Sequence, residues 1–200
     1  VQGGADNDDI GGGADADTLN GNDGNDLVHG DGGDDVIWGQ GGNDSLYGDD
    51  GDDVIRGNGD PFFDPLDPEN TDADFISGGN GNDTINGDEG DDVIEGNDGD
   101  DLLAGDTGND TISGGAGEDN ITGNDGNNKI TGTNAIAGDT ISGGLGNDTI
   151  TGGGGTDVLD GGEGSDTYIY SQTTDFVDTL TDTGASGTDT VSITATTGTL

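Results

Sequence analysis

A nine-residue period constrains this chain more than any other feature. The unit Gly78-Gly79-Asn80-Gly81-Asn82-Asp83-Thr84-Ile85-Asn86 is restated four more times by Thr122, and less perfect copies fill most of the chain on either side. Glycines at the first, second and fourth positions predict a sharp turn, because only glycine enters the left-handed region without a Cβ penalty. Aspartate at the sixth position closes the turn and offers a hard carboxylate oxygen of the kind Ca²⁺ takes alongside main-chain carbonyls. The last three positions predict a short strand. Its middle residue is apolar in every unit of the run (Ile85, Ile94, Leu103, Ile112, Ile121), so it turns inward while its two neighbours turn out.

Such a unit cannot bury a face by itself, so units must stack. Two units per coil give two parallel sheets with their aliphatic residues facing each other and their turns aligned in two columns. The expected fold is all-β, a right-handed parallel β-roll (β-solenoid) from about Gly3 to Ile169. With about eight or nine strands per sheet at ~4.8 Å, the rod is roughly 40 Å long.

Composition sharpens the question of what holds such a rod together. The chain carries 46 glycines, 25% hydrophobic residues and a net charge of −43, which without metal is the signature of disorder. One buried side chain per nine residues makes a thin core against the ordering entropy of the backbone, so folding is expected to be linked to metal. The absence of cysteine excludes disulfides and thiolate metal sites. Two basic residues, Arg56 and Lys129, against 45 acidic ones repel phosphate backbones, so nucleic acid is not an expected partner. No apolar run is long enough for a membrane span. The start at Val1, with no signal peptide, is expected of a piece of a longer protein, which makes flanking domains partners as well.

The pattern G-G-x-G-x-D-x-U-x, with U aliphatic, resembles the RTX (repeats-in-toxin) hemolysin-type calcium-binding nonapeptide repeat. The resemblance implies one Ca²⁺ in each pocket between stacked turns, held by sixth-position carboxylates and main-chain carbonyls of two repeats separated by one. Mapped onto this sequence, the metal-binding candidates are Asp8, Asp17, Asp26, Asp35, Asp44, Asp53, Asp74, Asp83, Asp92, Asp101, Asp110, Asp119, Asp139, Asp148, Asp157 and Asp166. About 11–15 Ca²⁺ per chain are expected on this pattern, with Mg²⁺ a poor substitute because it demands octahedral geometry at shorter distances. It further implies an exported bacterial protein, commonly a type I secretion substrate such as a toxin or adhesin, in which the block supports secretion, stability or spacing of another domain and is not itself an enzyme.

Departures from the pattern are local. Asp6 and Asp15 stand at the fourth position of the first two units, where distorted turns are expected. The unit opening at Gly57 reaches its aspartate only at Asp74, which places an insertion at about 60–73 with Pro61, Pro65 and Pro68, read either as a partner-binding loop or as a flap in which Phe62 and Phe63 cover the sheet. Gly132 to Ser142 carries about two extra residues. Asn128 replaces the sixth-position aspartate of its unit, which weakens that pocket, and gaps in the metal files are expected near 60–74 and 133–137. Tyr168 takes the last buried position, and residues 170–200 are expected to be a C-terminal cap of longer strands without the glycine turn.

Other functions find less support. No nucleophile, base and orienting group assemble in the sequence, and His29 falls at an outward ninth position as a solvated residue. An EF-hand needs flanking helices that so many glycines oppose. Outward rings at Trp38 and Tyr47, on different faces, and a hydroxyl file through Thr111, Ser113, Thr131, Thr149 and Thr151, interrupted by Lys129, leave a glycan- or ice-binding adhesion module as one alternative. An accessory module of a polysaccharide-modifying enzyme is another.

Overall fold

The computed structural model describes residues 1–57, 73–132, 138–172, 178–184 and 186–195. The insertion at about 60–73, with the loop and flap roles expected for it, lies almost wholly outside these residues, as does 133–137.

Every regular element among the described residues is a strand, and the strands alternate between two ten-stranded sheets. The first sheet opens with Gln2–Gly4 and closes with Thr179–Leu180, and the second opens with Asp9–Gly13 and closes with Thr190–Ala195. All pairings are parallel, each strand meeting the one two places on in the chain. The register is set by the buried residue of each unit: Ile85 pairs with Leu103, Leu103 with Ile121 and Ile121 with Ile141. It also crosses both irregular stretches, since Leu46 pairs with Ile76 across the first and Ile130 with Ile150 across the second. This is the expected parallel β-solenoid. A one-residue slip would drive the whole apolar file outward, which is why the strands on either side of each stretch keep the same register.

Between the sheets lies a single file of buried side chains running from Ile10 to Tyr168, all within a few per cent of complete burial. At the far end Tyr168 differs from its aliphatic predecessors. Its hydroxyl accepts the Gly161 N–H at 2.6 Å inside the core, a bond that no aliphatic side chain could make.

The turns correct one expectation about glycine. Left-handed backbone occurs at the second position, where Asn22 (φ 74°), Asp49 (φ 72°) and Asn97 (φ 81°) are tolerated beside glycine, and at the fourth, as at Gly99 (φ 144°). The first-position glycines are not left-handed. They are needed for space: a methyl group on Gly96 would lie 2.3 Å from Asp101 Oδ2 and 2.5 Å from Gly114 O. Asp6 and Asp15 lie outside the left-handed region, so the first two turns do depart from the pattern.

Past Ile169 the chain makes one more coil where a cap without glycine turns was expected. Thr179–Leu180 pairs with the first sheet and Thr190–Ala195 with the second, both in parallel register. Gly187 (φ 100°) stacks over the Gly164 carbonyl as a fourth-position glycine, so the turn is retained. Leu180, Val191 and Ile193 remain 41%, 50% and 62% exposed, so this coil does not close the core as its predecessors do.

Candidate metal centre

Stacking two units per coil aligns the sixth-position residues in two columns along the rod. One holds Asp17, Asp35, Asp53, Asp83, Asp101, Asp119, Asp139 and Asp157. The other holds Asp8, Asp26, Asp44, Asp74, Asp92, Asp110, Asn128, Asp148 and Asp166. From Asp26 to Asp166 these residues are buried, whereas Asp8 and Asp17 in the first coil are partly exposed.

Within a column each residue is tied to the next by one repeated bond. The backbone N–H donates to Oδ1 of the sixth-position residue one coil later, at 2.7–3.1 Å throughout. The backbone carbonyl of the same residue accepts the next coil's seventh-position N–H, as Asp83 O does from Leu102 at 2.9 Å. The ladder steps across the long insertion, from Asp53 to Asp83 and from Asp44 to Asp74, without a break. It also runs past the residues expected from sequence: Asp157 donates to Asp178 and Asp166 to Asp189. The signal for this extra step is present in Asp178-Thr179-Leu180 and Gly187-Thr188-Asp189-Thr190-Val191, which keep the aspartate and the apolar residue two places after it.

The second carboxylate oxygen has no such role. Oδ2 of Asp26, Asp35, Asp53, Asp83, Asp92, Asp101, Asp110, Asp119, Asp148 and Asp166 is buried and accepts no hydrogen bond. It lies over the first-position glycine of its own unit, and the carbonyl oxygen of the first-position glycine one coil on comes close to the same point, as at Gly96 with Asp101 Oδ2 and Gly114 O. Two acceptors thus face each other with no donor between them. Burying an anionic oxygen in this way is costly, and the carboxyl groups register it. Burial pushes Asp83 and Asp92 up to about 7, against the lowering effect of the N–H bonds from Asp53 and Asp74, and the charges of Asp101 and Asp110 push in the same direction. Asp53, Asp101, Asp110 and Asp148 are raised to about 6, again chiefly by burial.

This donor set fits a hard cation. Among the described residues no group of three or more His, Cys, Asp or Glu side chains converges on one point, so a bound ion would draw on main-chain carbonyls as well as carboxylates, a mixture suited to Ca²⁺.

A second ladder, at the fifth position, was not anticipated. Its side-chain oxygens accept N–H groups from the following coil, opposite in direction to the aspartate ladder: Asn82 donates to Asp52, Asp100 to Asn82 and Glu118 to Asp100 at 2.8–2.9 Å. On the other column Asn109, Asn127 and Asn147 stack through both backbone and side-chain amides. The frequent Asn and Asp just before the sixth position was the available signal.

The profile of the RTX calcium-binding nonapeptide repeat (4 copies) matches residues 2–37, 29–60, 70–103, 95–130 and 136–168. The chain belongs to that family. As an RTX block it is a calcium-binding repeat structure, and the columns are where its repeats meet. A search of curated proteins gives no match. No helix among the described residues of the RTX block is long and apolar enough to cross a membrane.

On the outer face of the block, His29 keeps the outward, partly exposed position expected of it and gains partners that the sequence did not show. Its ring stacks on Tyr47 with centroids 4.5 Å apart and an interplanar angle of 6°, and Nδ1 lies 3.0 Å from Asp49 Oδ2. Phe75 extends the row, 5.6 Å from Tyr47. Trp38 lies on the other sheet, in register with Asn20 and Arg56.

Proposed function

We propose that this chain is a calcium-folded RTX block of a secreted bacterial protein, which orders outside the cell and supports the export, stability or spacing of an attached domain. The observation that carries the reading is the file of buried Asp Oδ2 atoms that accept no hydrogen bond and face glycine carbonyls. Calcium there supplies the positive charge that the protein itself lacks, with Arg56 and Lys129 as its only basic residues. The aspartates at positions 8, 17, 26, 35, 44, 53, 74, 83, 92, 101, 110, 119, 139, 148, 157 and 166 are the proposed ligands, with about 11–15 ions per chain. From Asp26 onward the Oδ1 atoms hold adjacent coils in register, and the Oδ2 atoms that accept no hydrogen bond, such as those of Asp83, Asp92, Asp101 and Asp110, are left for metal. The role is structural and non-enzymatic. Proteins built from these repeats are generally secreted, and calcium-poor cytoplasm would keep such a chain unfolded until export.

Circular dichroism and isothermal titration from a chelated start test this reading. The expected result is an unfolded chain in chelator and a cooperative gain of β signal with calcium, at affinities of ~10⁻⁴–10⁻³ M. Native β signal in excess chelator at neutral pH, or fewer than about five ions bound, would contradict it. The row of His29, Tyr47 and Phe75 favours one additional reading, a glycan contact on the second sheet's outer face. Glycan-array binding that survives Tyr47→Ala removes that reading.

A further inference from the structure

Among the described residues of the two columns, Asn128 is where the aspartate pattern changes, and the change is confined to one atom. Asn128 Oδ1 still accepts the Asp110 N–H at 2.8 Å, and its own N–H still donates to Asp148 Oδ1 at 2.7 Å. What differs is the position of Oδ2, now taken by a buried Nδ2 that, as placed, makes no hydrogen bond. A methyl group on Gly123 would lie 2.5 Å from Asn128 Nδ2 and 2.5 Å from Gly143 O. A donor therefore faces the carbonyl where the other turns set one acceptor against another.

Two neighbours reinforce the contrast. Asn127 belongs to the amide stack, its N–H and Nδ2 both 3.0 Å from Asn109 Oδ1, while Asn147 donates to its Oδ1 at 2.8 Å. Lys129, the one lysine of the chain, stands exposed on the next residue. The unit thus lacks the sixth-position charge and carries a positive one.

We propose that the turn at Asn128 closes without a metal ion and divides its column into two separately loaded runs, Asp8 to Asp110 and Asp148 to Asp189. The inference rests on the calcium-linked folding proposed above and concerns how the ions are distributed. A small rotation brings the carboxamide N–H onto Gly143 O, which satisfies internally what a cation satisfies elsewhere. The amide stack then ties this turn to the coils before and after it. At low calcium, order begins here and spreads outward, because each coil contacts only its neighbours.

The test is amide hydrogen exchange on the full chain as calcium is raised from a chelated start, together with the number of ions bound. In the wild type, amides of residues 120–132 should gain protection at lower calcium than those of 83–105. Asn128→Asp keeps the Oδ1 acceptor and replaces only Nδ2. It should move protection of 120–132 up to the calcium concentration that orders the rest, and it should bind at least one more ion. Simultaneous protection of both regions in the wild type overturns the divided column, as does an Asn128→Asp profile and stoichiometry identical to wild type. A chain in which no amide responds to calcium overturns the calcium-linked folding as well, and is a distinct result.

Discussion

At Asp101 the two carboxylate oxygens do separable things: Oδ1 accepts the Asp83 N–H at 2.9 Å, while Oδ2 is buried without a hydrogen bond. Asp101→Asn should therefore preserve the ladder and lower the number of ions bound, whereas Asp101→Ala should also strand the buried Asp83 N–H, at a further cost of about 1–3 kcal/mol. Calcium titration beside denaturant unfolding in saturating calcium separates the two effects; equal stoichiometry in wild type and Asp101→Asn would contradict the ligand role of Oδ2. The raised carboxyl groups fix the sign of a second residue-scale expectation. In the folded, metal-free chain Asp83 and Asp92 sit at about 7 and Asp53, Asp101, Asp110 and Asp148 at about 6, against about 3.9 when unfolded. The folded state binds these protons more tightly, so the stability they contribute is fully present below pH ~4 and is lost as pH rises through about 6 to 7. In chelator, β signal should therefore fall between pH 4 and pH 7. In calcium the dependence reverses, because protons compete for the same oxygens. Circular dichroism in chelator that increases over that window would show that the buried carboxylates are not what holds the metal-free chain open.

Single elements respond to backbone space more than to charge. A methyl group on Gly99 would lie 1.7 Å from the Gly81 carbonyl at a φ of 144°, so Gly99→Ala should disrupt its turn even in saturating calcium, read as lost amide protection in the coils either side. Tyr168→Phe should leave the Gly161 N–H buried without its acceptor and cost about 1–3 kcal/mol in saturating calcium, a loss measurable by denaturant unfolding. How much of this was legible varied with the kind of physics involved. The buried file from Ile10 to Tyr168, the pairing of alternate units and the survival of register across both irregular stretches follow from a fixed nine-residue spacing, because register in a half-buried strand is dictated by which residues must be inside. Spacing also picked out the sixth-position aspartates. It could not say that Oδ1 and Oδ2 differ, since that depends on which N–H the neighbouring coil presents. Likewise the first-position glycine looked like a left-handed residue and proved to be a close approach, a distinction that sequence does not encode when both demands select the same side chain. The last coil was missed for a plainer reason: Asp182 stands where the turn's first glycine belongs, and its two extra residues hid the Gly187-Thr188-Asp189 signature.

The whole molecule is a stack in which each coil is bonded to the one before and the one after. Aspartate bonds span 18 residues wherever the repeat is regular, and the fifth-position ladder spans the same interval in the opposite direction. Replacing bulk calcium by magnesium should leave the stack largely unfolded, because Mg²⁺ keeps its water and asks for shorter, octahedral contacts than carbonyls at these turns supply; magnesium-driven β signal equal to that with calcium would argue against a carbonyl-lined pocket. Coils bonded only to their neighbours also fix how the rod behaves under tension. Pulled from its two ends, it has no bond between distant coils to share the load, so the end coil carries the full force until it peels away. Each 18-residue coil then frees about 55 Å of slack, its extended length less the ~4.8 Å it occupied in the stack. Force–extension traces in calcium should show a train of evenly spaced ruptures of that size, with longer steps where the two irregular stretches unwind, so that under load the rod behaves as a tether that lengthens in instalments.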